Sequence, residues 1–253
     1  MDGETLGNLC KTIRNNKVVS MRAYASWYDK IVEYLEKNTE RADDYRNVKV
    51  AISSSEALNE DTRIKMKKLT GVPIVECYAS EEAGVMGQQK IDDTNYYLNH
   101  ASYVFELLKL DIDELAKYGE LGRIVITDLY NYAFPLIRYD TGDTAIMEKG
   151  NERSNGWDYI SKLYGRKLDL VYDTKGNPTH PMNFTRVLKN IPQIIQWQLI
   201  QKEERSYHLK LNTKPGIDLV YVEKEIKTIV GDDAHITFEM VDHIPVLASG
   251  KRK

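Results

Sequence analysis

The polar and apolar positions of residues 24–37, YASWYDKIVEYLEK, alternate with helical spacing. The apolar side chains that recur on one face are Trp27, Ile31, Tyr34 and Leu35. This spacing predicts a surface helix with one buried face, and Ser26 is its candidate N-cap. A second helix is predicted over NEDTRIKMKKLTG, with Gly71 as its C-terminal cap.

Two β-rich runs flank that second helix. Residues 48–52 form the first run, which breaks into serines, and PIVECYAS forms the second. Strand, helix and strand in this order are typical of an α/β layer with a mostly parallel sheet. Ligands usually bind in the turns that follow such strands.

The pattern changes from residue 96 onward. NYYLNHASYVFELLKL and GRIVITDLYN read as antiparallel strands, with Gly119 and Gly122 as turn residues between them. Further on, Lys175-Gly176-Asn177 fits a tight hairpin turn. Helices near 182–190 and 218–230 then alternate with the strands IIQWQLIQ, YHLKLNT and AHITFEMV, which is the order of a small α+β sandwich.

The predicted fold class is therefore α/β, with a partial layered sheet-and-helix large domain followed by a small α+β C-terminal domain. We expect the large domain over residues 1–164, a hinge over 165–169 and the small domain over 170–253. The Gly165-Arg166 turn is the expected boundary.

Composition excludes several classes of function. The chain of 253 residues has a net charge of -3, which gives no electrostatic case for nucleic acid or an anionic membrane. It has two cysteines and no CxxC pair, which indicates a reducing compartment and argues against structural zinc. No apolar run reaches the roughly 20 residues of a membrane span. We expect a cytoplasmic protein.

Four motifs in a fixed order carry a resemblance to a known family. They are YASEEAG, GRIVITDLYNYAFPLIRYDTGD, YGRKLD and the terminal LASGKRK. Together they resemble the successive motifs of the adenylate-forming superfamily, above all its phenylacetate-coenzyme A ligase branch and relatives in capsular-polysaccharide loci. The resemblance implies activation of a small-molecule carboxylic acid by ATP and Mg²⁺, with transfer of the acyl group to a thiol such as coenzyme A or to an amine.

In YASEEAG, the resemblance assigns Tyr78 to the adenine and Glu82 to magnesium. Glu81 stands where many members have Thr or Ser. A register slipped by one residue would instead make Ser80 and Glu81 the functional pair. The alternative is a purely structural role: an ordinary strand-to-helix turn, with Tyr78 in the core and both glutamates solvated.

Two further carboxylates are candidates for the nucleotide site. ISSSEAL occupies the position of a glycine-rich turn that contacts adenine in the family, and Glu56 is its most family-like residue. In PLIRYDTGD, Asp143 matches the carboxylate that accepts hydrogen bonds from both ribose hydroxyls. The alternative is a type I turn in which Asp140 and Asp143 bond their own backbone.

The last two motifs concern the hinge and the adenylation step. Arg166 matches the arginine that meets ribose and phosphate oxygens. Leu168 stands where many members have the pivoting aspartate, with Asp169 next to it. Lys251 matches the lysine whose charge supports adenylation; the alternative is a solvated basic tail.

The family's Ser/Thr/Gly-rich phosphate loop has no counterpart here, and GxxxxGK is absent. We therefore expect a C-terminal part of a ligase, inactive without the missing N-terminal half and exposing an apolar sheet edge. A separately encoded N-terminal half and a homodimer are the candidate partners, with no nucleic acid and no membrane span. The alternative is a non-catalytic remnant that binds a nucleotide or a partner.

Overall fold

The computed structural model describes residues 3–245, except for the side chains of Leu168 and Met182. The chain divides into two compact units: the first ends at Lys167 and the second begins at Leu168. This division lies inside the segment 165–169. Gly165 and Arg166 themselves are the last residues of a strand, so the turn expected there is wrong.

The first unit begins with helices on a parallel layer. Its helices are α1 (Gly3–Asn15), α2 (Ala25–Lys37) and α3 (Glu60–Thr70). Its strands are β1 (Ser20–Tyr24), β2 (Val50–Ser54), β3 (Ile74–Ser80), β4 (Gly84–Gln89), β5 (Tyr96–Leu98), β6 (Tyr103–Leu108), β7 (Leu121–Asp128), β8 (Tyr139–Glu148) and β9 (Tyr159–Arg166). Short 3₁₀ segments lie at Thr39–Tyr45, Glu152–Ser154 and Lys167–Asp169.

These strands of residues 3–167 form one sheet in the order β1-β2-β3-β4-β5-β9-β8-β7-β6. The pairs β1-β2 and β2-β3 are parallel, and every later pair is antiparallel. The predicted change from a parallel layer to added antiparallel strands is thus found in the structure. Because β9 inserts between β5 and β8, motifs far apart in sequence become neighbours.

Helix α2 packs its apolar face into the first core. The buried residues of α2 are Ala25, Tyr28, Ile31, Val32 and Leu35. Trp27 is 47% exposed, so its predicted burial is wrong. Tyr24, not Ser26, is the N-cap and makes no side-chain cap.

Helix α3 ends as its sequence predicts. Gly71 takes the left-handed conformation at φ 74° and its N–H donates to Lys67. At the other end, the side chain of Asn59 accepts from the Asp61 N–H. These caps satisfy backbone groups that the helix itself cannot pair.

The second unit is a small α+β sandwich. A hairpin joins β10 (Val171–Tyr172) to β11 (Pro178–Thr179), with Gly176 at φ 81° in its turn. Helices α4 (Pro181–Lys189) and α5 (Leu219–Val230) accompany the three-stranded sheet β12 (Ile194–Glu203), β13 (Ser206–Thr213) and β14 (His235–Met240).

The core of this unit lies between its helices and its sheet. It includes Phe184, Leu188, Tyr207, Leu209, Val222 and Ile226. The predicted α/β class, with a layered first part and a small α+β second part, is confirmed. None of the helices described between residues 3 and 245 has the length and apolarity that a membrane crossing requires.

Candidate functional site

Three strands bring three of the predicted nucleotide residues together. Tyr78 lies near the end of β3, Asp143 lies within β8, and Arg166 ends β9. Asp143 and Arg166 are direct cross-strand partners in the β8-β9 ladder. Side chains at such positions on an antiparallel pair lie within contact distance. The motifs YASEEAG, YDTGD and YGRKLD therefore meet at one place.

Tyr78 is buried and points its hydroxyl at the carboxylate of Asp143. The hydroxyl oxygen lies 3.0 Å from Oδ2 of Asp143 and 3.3 Å from Oγ1 of Thr141. Burial, followed by the nearby Asp143 charge, raises the pKa of Tyr78 far above its ordinary value. The phenol therefore stays protonated and donates to Asp143. With 5% of Tyr78 exposed, little of its ring is open to a base.

Arg166 holds the other oxygen of Asp143. Its Nε lies 3.4 Å from Oδ1, and its Nη1 donates to the Thr141 carbonyl at 3.0 Å. Asp143 is 17% exposed at its side chain, whereas that of Arg166 is 62% exposed. The carboxylate is thus oriented by donors from two other strands, while much of the guanidinium remains open to a ligand.

Gly142 allows this approach of Arg166 to β8. Its φ is +74°, a conformation that side chains disfavour, and a Cβ there would lie 3.1 Å from Nη1 of Arg166. The positive φ therefore favours glycine, and a larger residue would also press on the guanidinium. The sequence pattern identified the YDTGD motif but did not assign this role to Gly142 or the anchoring role to Thr141.

The turn after β3 presents the acidic pair. Glu81 and Glu82 are exposed at residues 81–83, and Gly84 follows at φ 73°. Ser80 is partly buried, and its hydroxyl accepts from the Ala83 N–H at 3.1 Å. Hydrogen bonds from its own backbone and from Ser80, with a smaller contribution from the Arg166 charge, lower the pKa of Glu82.

Glu82 therefore suits a divalent cation that bridges to phosphate. Mg²⁺ is usually held by one or two carboxylates together with substrate phosphates. Within residues 3–245, no group of three His, Cys, Asp or Glu side chains lies close enough to hold a metal by itself. An exposed, ionised carboxylate near Arg166 fits a site in which Mg²⁺ is held jointly by the protein and by substrate phosphates.

Asp140 behaves as the structural alternative predicts. Its Oδ1 accepts from the Gly142 N–H at 2.9 Å, and its Oδ2 lies 2.6 Å from Nη1 of Arg123. Asp143 differs, because its carboxylate contacts the side chains of Tyr78 and Arg166. The two aspartates of the motif therefore have different tasks.

Glu56 bonds the start of a helix. Its Oε2 accepts from the Ser26 N–H at 2.9 Å, at the first turn of α2. A carboxylate there also meets the positive end of the helix dipole. The neighbouring Ser55 has φ 67°, a strained conformation for a residue with a side chain. The structure brings Tyr78, Asp143 and Arg166 together but gives Glu56 a capping role.

The remaining predicted residues concern the hinge and the tail. Leu168 and Asp169 belong to the 3₁₀ turn Lys167–Asp169, at the start of the second unit, and Asp169 is exposed. Lys251 lies outside the described residues.

Comparison with known proteins gives the fold a context. Residues 171–253 match the family described as CapK C-terminal domain. The whole chain is 24% identical to protein CapK of Staphylococcus aureus over 268 residues, covering 56% of that protein. The chain therefore spans about half the length of this relative.

Solved ligases share the fold. ATP-bound MatB from Rhodopseudomonas palustris matches 99% of this chain and 51% of its own, at TM-score 0.70 and 15% identity. A 2-hydroxyisobutyryl-CoA ligase in the postadenylation state with 2-HIB-AMP matches 97% of this chain and 56% of its own, at TM-score 0.70 and 14% identity.

The anthranilate CoA ligase AuaEII, in complex with anthranoyl-AMP, matches 99% of this chain and 50% of its own, at TM-score 0.68 and 17% identity. The chain has the fold of the C-terminal part of the adenylate-forming ligases, and from residue 171 onward it is similar to the CapK C-terminal domain.

Proposed function

We propose that this chain is the C-terminal part of an ATP-dependent ligase that activates a carboxylic acid as an acyl-adenylate. The observation that carries the proposal is the contact of Asp143 with both Tyr78 and Arg166. Three side chains from separate strands and separate motifs converge there. The ATP-bound and adenylate-bound ligases of the same fold support this choice of chemistry.

Asp143 accepts hydrogen bonds from the two ribose hydroxyls, a bidentate task for which a carboxylate is suited. Tyr78 holds the carboxylate in place through its hydroxyl, and the buried ring supports the site from below the ribose. Arg166 donates to ribose or phosphate oxygens, because planar N–H groups match such acceptors. Glu82, or Ser80 with Glu81 in the slipped register, lies beside the phosphates, and Mg²⁺ supplies charge neutralisation when bound.

Lys251 stabilises the negative charge that develops as the carboxylate attacks the α-phosphate. The bond formed joins the acid oxygen to phosphorus, and pyrophosphate leaves. Residues 165–169 serve as the hinge between units, because a 3₁₀ turn can absorb a change in backbone torsion.

The acid is a small molecule, and coenzyme A is the proposed acceptor. The resemblance of the motifs to the phenylacetate-CoA ligase branch leads us to propose a cytoplasmic role in capsular or cell-surface polysaccharide synthesis, and the chain is 24% identical to protein CapK. Because the chain spans 56% of CapK, we propose that turnover also requires a region equivalent to the rest of that protein, whether fused or separately encoded. A homodimer is the other candidate assembly.

Isotope exchange between pyrophosphate and ATP tests this function directly. The chain, with and without a supplied N-terminal half, is incubated with a panel of aryl and acyl acids. We expect acid-dependent exchange that needs both halves and falls sharply in Asp143→Ala. If no acid supports exchange, with or without the N-terminal half, the proposal that this chain is part of a ligase is wrong.

A second candidate is a non-catalytic module that binds a partner. The observation that favours it is a loop whose large apolar side chains face solvent, namely Tyr130, Tyr132, Phe134 and Ile137, each between 67% and 86% exposed. Exposed patches of this kind mark interaction sites. Nucleotide binding without acid-dependent exchange would favour this module over the ligase.

A further inference from the structure

The chain after β14 is held by two side-chain amides. The Val241 N–H first extends the sheet by donating to the Leu211 carbonyl at 2.9 Å. Beyond it, Nδ2 of Asn212 donates to the Asp242 carbonyl at 2.7 Å. The same group lies 3.0 Å from Oε1 of Gln196. Asn212 and Gln196 are register partners on β13 and β12.

The side-chain amide of Gln196 forms hydrogen bonds with both backbone groups of Ile244. Its Oε1 accepts from the Ile244 N–H at 3.1 Å, and its Nε2 donates to the Ile244 carbonyl at 3.3 Å. A side-chain amide used in this way reproduces the donor and acceptor of a neighbouring strand. Ile244 is 9% exposed, so this backbone is pinned where its side chain is buried.

The same strand holds the other end of the second unit in the same manner. Oε1 of Gln201 accepts from the Tyr172 N–H at 2.8 Å, and its Nε2 donates to the Tyr172 carbonyl at 3.2 Å. Strand β12 therefore fixes the chain where it enters the unit and where it leaves the sheet. Two glutamines on one strand that each bond both backbone groups of another segment indicate a structural role rather than simple exposure to solvent.

We infer that Gln196 and Asn212 form a tail clamp that positions the segment carrying Lys251. Lys251 follows Ile244 by only a few residues. Fixing the start of a short tether raises the effective concentration of a group at its end. The clamp thus acts through Lys251 and is a positioning device, and the inference rests on the proposed function of that lysine.

Two measurements on the Gln196→Ala variant test the clamp. Hydrogen exchange of the peptide that contains Ile244 reports the grip itself, whether or not the protein is active. Acid-dependent adenylation, measured in the assembly of both halves, reports its consequence. Gln198→Ala is the matched control, since Gln198 is the same residue type on the same face of β12, opposite Lys210.

We expect Gln196→Ala to speed exchange at Ile244 and to slow adenylation by about tenfold, because small misplacements of a reacting group are costly. Transfer from a preformed acyl-adenylate to the thiol should be unchanged. Gln196→Glu keeps the acceptor for the Ile244 N–H and should recover part of the loss. Gln198→Ala should alter neither readout.

Unchanged exchange at Ile244 would overturn the clamp. Faster exchange with normal adenylation would overturn its role while leaving the proposed function intact, provided that Lys251→Ala is impaired. If Lys251→Ala is itself fully active in adenylation, Lys251 has no role in that step and the positioning role of the clamp is also wrong.

Discussion

Asp143 on β8 and Arg166 on β9 face each other across an antiparallel ladder, with Oδ1 and Nε 3.4 Å apart. The hydroxyl of Tyr78 on β3 holds the second carboxylate oxygen at 3.0 Å. One aspartate is therefore oriented from two sides by residues of other motifs. This arrangement makes the role of each partner separable by mutation.

Tyr78→Phe should weaken ATP binding without removing the aromatic ring. The variant deletes one hydrogen bond to a charged group, worth about 1.5–3 kcal/mol, and frees the carboxylate to turn. We expect an approximately tenfold rise in the ATP dissociation constant, measured by calorimetry on the assembled protein.

Tyr28→Phe is its control. Tyr28 is also buried, and its hydroxyl donates to the Met21 and Ile52 carbonyls in the first core. It should lower stability without altering ATP affinity. If Tyr78→Phe and Tyr28→Phe bind ATP with the same affinity, Tyr78 does not position Asp143.

Gly142→Ala should harm both stability and nucleotide binding. An alanine at φ +74° is strained, at about 1–2 kcal/mol, and its Cβ would lie 3.1 Å from Nη1 of Arg166. Gly156→Ala provides the comparison, since Gly156 has φ +81° but nothing lies within 4 Å of its added Cβ. Denaturant unfolding should show similar losses, whereas only Gly142→Ala should weaken ATP binding.

Glu56→Ala should lower stability and leave nucleotide binding unchanged. It removes the carboxylate that accepts from the Ser26 N–H at the start of α2, and losing a helix cap costs about 1 kcal/mol. Thermal unfolding measures the first effect and ATP titration the second. Glu40→Ala, at an exposed carboxylate, should change neither. A large loss of ATP affinity in Glu56→Ala would restore the sequence-based assignment to the nucleotide site.

Lys251→Ala should reduce adenylation about 100-fold in the assembled enzyme, as is typical when one preorganised charge is removed. Lys253→Ala is the matched control at the same tail. Single-turnover formation of acyl-adenylate is the measurement. An unimpaired Lys251→Ala variant would remove the lysine from the mechanism.

Stability should fall steeply in alkali. Burial raises the pKa of Tyr28 from 10.0 to about 12, and burial also raises that of Tyr45 and Tyr96. Because the folded state keeps these protons longer than the unfolded state, their contribution is complete below pH 10 and is lost as pH rises toward 12. For Tyr28, the rise from 10.0 to about 12 corresponds to about 3 kcal/mol.

Urea unfolding between pH 8 and about 12 measures this loss. Tyr28→Phe should start from a lower stability but show a shallower decline, because one titrating group has been removed. An equal slope in the two proteins would contradict the assignment to Tyr28.

Most helices and strands, and the motifs, can be predicted from the sequence alone. Helical spacing of apolar side chains and a glycine cap located α2 and α3, because both signals lie within a short stretch of the chain. The change from parallel to antiparallel strands was readable for the same reason. Trp27 was misjudged, since spacing identifies an apolar face but does not show how far the core extends along it.

Which motif residues act together depends on how the strands are arranged in the folded protein. The order of strands places β9 beside β8, and this alone makes Arg166 the partner of Asp143. It also turns Glu56 toward α2 and gives Gln196 the backbone of Ile244 to hold. Such contacts join residues far apart in the chain, and a pattern of neighbouring residues carries no information about strand order or register.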